Sequence, residues 1–134
     1  MLKLTEIRQW IASLGIAEDQ HVYMGKLDNK QQKSIGVYGR SGSGSPGIAL
    51  GGLECTTYDT KRLSLLVHWT TRKAESEVAA YEEFEKLRNV SSLDIGDTHI
   101  NYLRLMVPEP QDVGTDDGGV YEYVIWLDLI YERK

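Results

Sequence analysis

"VYEYVIWLDLIYE", residues 120–132, decides the fold class. A β-strand sends successive side chains to opposite faces, so one residue in two shares an environment. On that period Tyr121, Tyr123, Ile125, Leu127, Leu129 and Tyr131 share one face. Glu122, Val124, Trp126, Asp128 and Ile130 share the other. The first face is apolar throughout and predicts a core side packed against a helix. The second mixes the charges of Glu122 and Asp128 with Trp126.

Reading outward, "HINYLRLMV" (99–107) is a second strand, ended by Pro108 and Pro110, which cannot donate to a ladder. The intervening "EPQDVGTDDGG" (109–119) predicts an acidic hairpin loop. Further upstream, "RLSLLVHWTT" (62–71) places Leu63, Leu65, Val67 and Trp69 on one face and Ser64, Leu66 and His68 on the other. A helix is predicted from about Arg72 to Arg88, with Val78, Tyr81, Phe84 or Glu85, and Leu87 or Arg88 marking successive turns and Ala74 extending the stripe. Its acids Glu75 and Glu77 come early and its bases Lys86 and Arg88 late, which suits the helix dipole. Two short runs, "HVYMGKL" (21–27) and "KSIGVYG" (33–39), read as a hairpin turned by "DNKQQ". At the start, Thr5 is placed as the cap of a helix to Leu14, with Ile7, Trp10, Ile11 and Leu14 on one face and Gly15 ending it. The order α-β-β-β-α-β-β predicts an α+β fold: a mostly antiparallel sheet with two helices packed on one face.

The chain's 134 residues suit one domain spanning 1–134, and no repeat or linker divides them. The 41% apolar and 26% charged fractions are those of a water-soluble globular domain. No apolar run approaches the length of a membrane span, and the N-terminal residues lack the pattern of a signal peptide. With Cys55 as the only cysteine, no internal disulfide forms, and a cytosolic origin is expected. Charge is uneven: residues 1–73 hold ten Lys/Arg against six Asp/Glu, +4, and residues 74–134 hold five against fourteen, −9. Such a division suits complementary surfaces that dock head to tail, and the overall −5 argues against broad nucleic-acid binding.

Little in the sequence carries chemistry. "GRSGSGSPGIALGG" (39–52) resembles a phosphate loop only in its glycines. It has no lysine where a P-loop needs one, and no helix opens after Gly47. Its composition predicts a flexible Gly/Ser-rich loop at about 40–53 that orders on contact with a partner. His21, His68 and His99 show no ligand spacing, and "DVGTDDGG" lacks the EF-hand pattern. Cys55 has no histidine beside it in sequence, and the pairs Glu82–Glu83 and Asp116–Asp117 read as a solvated helix face and a turn. No catalytic residue, metal site or cofactor is expected. The aromatic residues are assigned to the core and to subunit contacts.

The block "GGLECTTYDTKRLSLLVHWTTRKAESEVAAYEEFEKL" (51–87) resembles the centre of the phage minor capsid protein family. "VYMGKLDNKQQKSIGVYG" (22–39) is similar to that family's first hairpin, and "VYEYVIWLDLIYER" (120–133) to its closing strand. The element order also resembles that of tail terminator and tail completion proteins of long-tailed phages. The resemblance implies a non-enzymatic virion protein, made in the host cytoplasm or from a prophage. It implies a ring, usually six-fold, that caps the tail tube and joins it to the head. The implied partners are further copies of the chain, the tail tube protein and a head connector, with DNA only in transit through the lumen and no membrane. A neck or head-completion protein is the alternative within this class. A small-molecule-binding or enzymatic domain using Cys55 and His68 is the alternative outside it. For the interface between subunits, Arg40, Lys61, Arg62, Arg72 and Lys73 are the expected bases, and Asp112, Asp116, Asp117 and Glu122 the expected acids. Ile48, Leu50 and Leu53 would add apolar contact.

Overall fold

The computed structural model describes residues 2–25, 27, 30–40 and 58–132. Helix α1 spans Leu4–Ser13, and a 3-10 turn at Asp19–His21 leads into β1 (Val22–Met24). Strand β2 (Ser34–Gly39), strand β3 (Tyr58–His68) and helix α2 (Lys73–Arg88) follow. Then come β4 (Leu93–Ile95), β5 (Thr98–Leu105), β6 (Gln111–Thr115) and β7 (Tyr121–Glu132). The strands form one sheet in the order β1-β2-β3-β7-β5-β4, with β6 also paired to β7. All pairings except β1 with β2 are antiparallel. This is the expected α+β architecture. Among the described residues no helix is long and apolar enough to cross a membrane.

β7 is the axis of the molecule. Eleven residue pairs join it to β3, from Tyr58↔Glu132 to His68↔Glu122. On its other side β5 pairs with its C-terminal half and β6 with its N-terminal half. Its predicted core face is buried from Tyr123 through Ile125, Leu127 and Leu129 to Tyr131. Leu63, Leu65 and Val67 of β3 lie beside it, with Ile35 and Val37 of β2 beyond them. Ile7 and Ile11 of α1 and Ala80, Phe84 and Leu87 of α2 belong to the same cluster, so both helices cover one face of the sheet.

Four local expectations are corrected. First, β1 and β2 are parallel, with Val22↔Ile35 and Met24↔Val37, rather than a hairpin. Leu27 explains the change, because it is buried on the opposite face of the sheet, against Gly36. A Cβ at Gly36 would lie 3.2 Å from the Leu27 side chain. At the end of β1 the Gly25 N–H donates to the Val37 carbonyl, and before β2 the Lys33 N–H donates to the Trp69 carbonyl. Burying a leucine outweighs the shorter return of a hairpin.

Second, α1 begins at Leu4 and Thr5 is not its cap. The Lys3 N–H donates to the Glu6 carboxylate at 3.1 Å, and the Lys3 carbonyl accepts from Glu6 and Ile7. Gly15 does end the helix with φ +79°, as expected. Third, α2 is rotated from its predicted stripe. Ser76, Ala79, Ala80, Glu83, Phe84 and Leu87 are buried, whereas Ala74, Val78 and Tyr81 are exposed. The Ser76 hydroxyl fixes this rotation: it accepts from the Thr70 N–H at 3.2 Å and lies 2.9 Å from the Arg72 carbonyl, to which it can donate. The two alanines then let the helix approach the sheet closely. Fourth, the acidic segment is strand in its middle. β6 occupies Gln111–Thr115, and the turn proper is Asp116–Gly119, closed by Asp116 N–H to Val120 and Gly119 N–H to Asp116. β4, absent from the sequence reading, pairs with the start of β5 around Gly96 at φ +58°.

Candidate functional site

The face of the sheet away from the helices carries the unusual residues. β7 contributes Glu122, Val124, Trp126, Asp128 and Ile130 to it in sequence order. Pairing aligns His68, Leu66, Ser64 and Arg62 of β3 with the first four. Tyr102 and Arg104 of β5 lie opposite Ile130 and Asp128, and Met106 donates its N–H to Trp126. Three zones follow one another along β7.

At one end His68 is fully buried. Its Nδ1 lies 3.0 Å from Glu122 Oε2, and its Nε2 lies 3.7 Å from Asp116 Oδ2 without a hydrogen bond. Asp116 is also the turn's organiser, because its Oδ1 accepts from the Gly118 and Val120 N–H groups at 2.9 Å each. Across the strands from His68 stands Ser34, whose hydroxyl donates to the Gln31 carbonyl at 2.9 Å. This knot ties the β6–β7 turn to β3.

In the middle, Ser64, Val107, Gln111, Val113, Val124 and Trp126 line an apolar groove of about 440 Å³. Trp126 is 46% exposed and Val113 54%. Met106 and Tyr102 are also exposed beside it. Large apolar side chains gathered on one surface mark an interaction site more often than a solvated one.

At the far end Asp128 is buried between two arginines. Arg40 Nη2 lies 2.6 Å from its Oδ1, and Arg104 Nη2 lies 3.1 Å from its Oδ2. The Arg40 guanidinium also stacks 5.4 Å from the centre of the Trp126 ring. Arg62 stands opposite Asp128 on β3 and is partly exposed. Two guanidinium groups pair with this carboxylate and Arg62 stands across from it on β3, so the arginines outnumber the carboxylates Asp128 and Glu132 at this end of the face. Charge-assisted pairs hold Arg40 rigid, while Arg104 remains half exposed.

The expected interface residues are thus partly separated. Arg40 and Arg62 lie together at the end of β2 and start of β3, whereas Lys61, half-buried, stands across from Leu129 on the helix side of the sheet. Asp116 is turned inward to His68, and Asp117 is exposed beyond it. Ile48, Leu50 and Leu53 lie outside the described residues, as does Cys55, together with the Gly-rich loop beyond Arg40. Lys73 and Asp112 meet within one chain at 3.0 Å. The Gly114 N–H, then Lys73, holds the Asp112 carboxyl below its usual range, and Asp112 holds Lys73 above its own. Glu82 is solvated as expected, but Glu83 is fully buried with both carboxylate oxygens unpaired. His99 sits on the exposed β4–β5 hairpin, its Nδ1 2.8 Å from Asp94. Trp126, Asp128 and Arg104 were not picked out as site residues. The available signal was a tryptophan on the polar side of an otherwise well-alternating strand.

No curated protein matches the chain. The family described as bacteriophage tail terminator protein matches residues 10–133, which takes in the last turn of α1, all of α2, all seven strands and the open face. That match agrees with the resemblance of the element order to tail terminators and covers nearly the whole sequence, and the chain belongs to the bacteriophage tail terminator protein family.

Proposed function

We propose that this chain, as one domain, forms a closed ring on the head-proximal end of the tail tube, stops the tube's growth and presents the surface to which the head connector joins. As a family member it is a structural protein of the phage tail. The supporting observation is the open sheet face: a rigid sheet, buried on one side by both helices, leaves Trp126, Val113 and Met106 exposed on the other. An assembly protein uses such a surface for contact and requires no reacting group. The ring's other partners are the tube protein below it and the connector above it. DNA meets it only in passing through the lumen.

Electron microscopy of tails assembled with and without the protein tests this reading. Without it, tubes are expected to run past their normal length and remain headless. With it, length is restricted and ring density sits at the tube end. Tubes of normal length that fail only to join heads would assign the protein to the neck instead. Normal, head-joined tails in its absence would remove the proposal.

A further inference from the structure

We infer that neighbouring subunits contact through the outward face of α2 of one copy and the open sheet face of the next. This inference rests on the ring reading and names the surfaces that build the ring. Val78 and Tyr81 are 58% and 38% exposed, although both are large and apolar. With Glu82, Glu85 and Lys86 they line a depression of about 470 Å³. The Tyr81 hydroxyl is fixed by donating to Glu109 at 2.9 Å, so the aromatic ring is presented in one orientation. This surface is apolar at its centre and rimmed by Glu75, Glu77 and Glu82, all exposed, with Glu85 paired to Arg88 at 3.3 Å and Lys86 beside it, so acids outnumber bases around it.

The open sheet face has the complementary form. Its centre is the apolar groove at Trp126, and one end carries Arg62 and Arg104. The two surfaces lie on opposite sides of a helix layer and a sheet layer. A contact between them is therefore heterologous and leaves a free surface of each kind at either end, which makes a ring where the rotation from copy to copy closes. Apolar burial at the centre supplies affinity, while the charges at the rim fix register and partner. A sheet-to-sheet dimer lacks this match, because Glu122 and Asp116 are already turned to His68. Nucleic acid is a poorer occupant, because Asp128 stands among the arginines and the chain carries net charge −5.

Two charge-reversal variants make the test. One is Arg62→Glu with Arg104→Glu, which leaves the Arg40–Asp128 pair in place. The other is Glu82→Arg with Glu85→Arg, which puts positive charge toward the end of α2 where the helix dipole tolerates it. Circular dichroism and thermal melting check that each folds. Each is then supplied, alone and together, to tail assembly lacking the wild-type protein, and capped tails are counted by electron microscopy. Each alone is expected to cap about tenfold less than wild type, because like charges then meet across every contact. The equal mixture is expected to recover capping, because alternating subunits restore opposite charges at every contact. Normal capping by either variant alone overturns this pair of surfaces while leaving the ring intact. Loss by both without recovery in the mixture also overturns it. Normal capping by the arginine variant with a block only in DNA passage assigns that face to DNA and overturns it as well. A wild-type protein that caps tubes without forming a ring overturns the ring reading itself.

Discussion

Glu83 is buried in the helix layer without a hydrogen-bond partner for either oxygen, and burial pushes its carboxyl from the ordinary 4.5 to about 7, with Lys86 opposing in part. The folded protein therefore holds this proton where the unfolded chain has released it. Stability from this group is complete below about pH 4.5, falls as pH rises, and is lost above about pH 7. A shift of that size corresponds to roughly 3 kcal/mol. Glu83→Gln keeps the shape and cannot ionise. Urea unfolding should show the variant close to wild type at pH 4.5 and more stable by up to roughly 3 kcal/mol at pH 8. A constant difference across that range would mean that Glu83 does not titrate in the folded state. Adjacent glutamates on a helix gave no hint of this, because Glu82 and Glu83 differ only in which way the helix is turned.

At the scale of elements, the chain's turns are decided by single anchors. Leu27 against Gly36 makes β1 and β2 parallel, and Ser76 against Thr70 and Arg72 sets the rotation of α2. Gly36→Val would place a branched side chain 2.7 Å from the Tyr38 ring and 3.2 Å from Leu27, before any rearrangement. The variant is expected to lose about 2 kcal/mol of stability by overpacking. Amide exchange should quicken at Val22 to Met24, where the parallel pairing depends on the crossover. Unchanged exchange and stability would show that Leu27 does not anchor that strand. A three-residue strand such as β1 has too little alternation to specify a partner or a direction. Its existence was therefore legible, and its pairing was not.

Across the whole molecule, the charge imbalance along the sequence does not become two charged halves in space. Lys73 meets Asp112, Arg40 and Arg104 meet Asp128, and Arg8 meets Asp19, all within one chain. The remaining imbalance is local: arginines at one end of the sheet face and glutamates along α2. The β6–β7 turn shows the difference between folding and surface roles. Asp116→Lys would remove two turn hydrogen bonds and place a cation against His68, and should cost about 1–3 kcal/mol in thermal or urea unfolding. Asp117→Lys touches an exposed side chain and should change stability by no more than about 0.5 kcal/mol. Tail capping by the Asp117 variant should remain near wild type. A clear capping defect in that stable variant would bring the turn into the subunit interface.

The α+β class, the core faces of β3 and β7, the glycine end of α1 and the kinship with tail terminators were all readable from the sequence. Each is local or cumulative: a strand's period fixes which side chains share a face, and a family match sums many weak similarities. The direction of β1, the burial of Glu83, the exposure of Val78 and Tyr81, and the arginine cluster were decided only by tertiary structure. Arg40 and Asp128 are 88 residues apart in sequence and 2.6 Å apart in space. Periodicity states which residues lie together on a face, but only packing decides what covers that face and what is left for a neighbour.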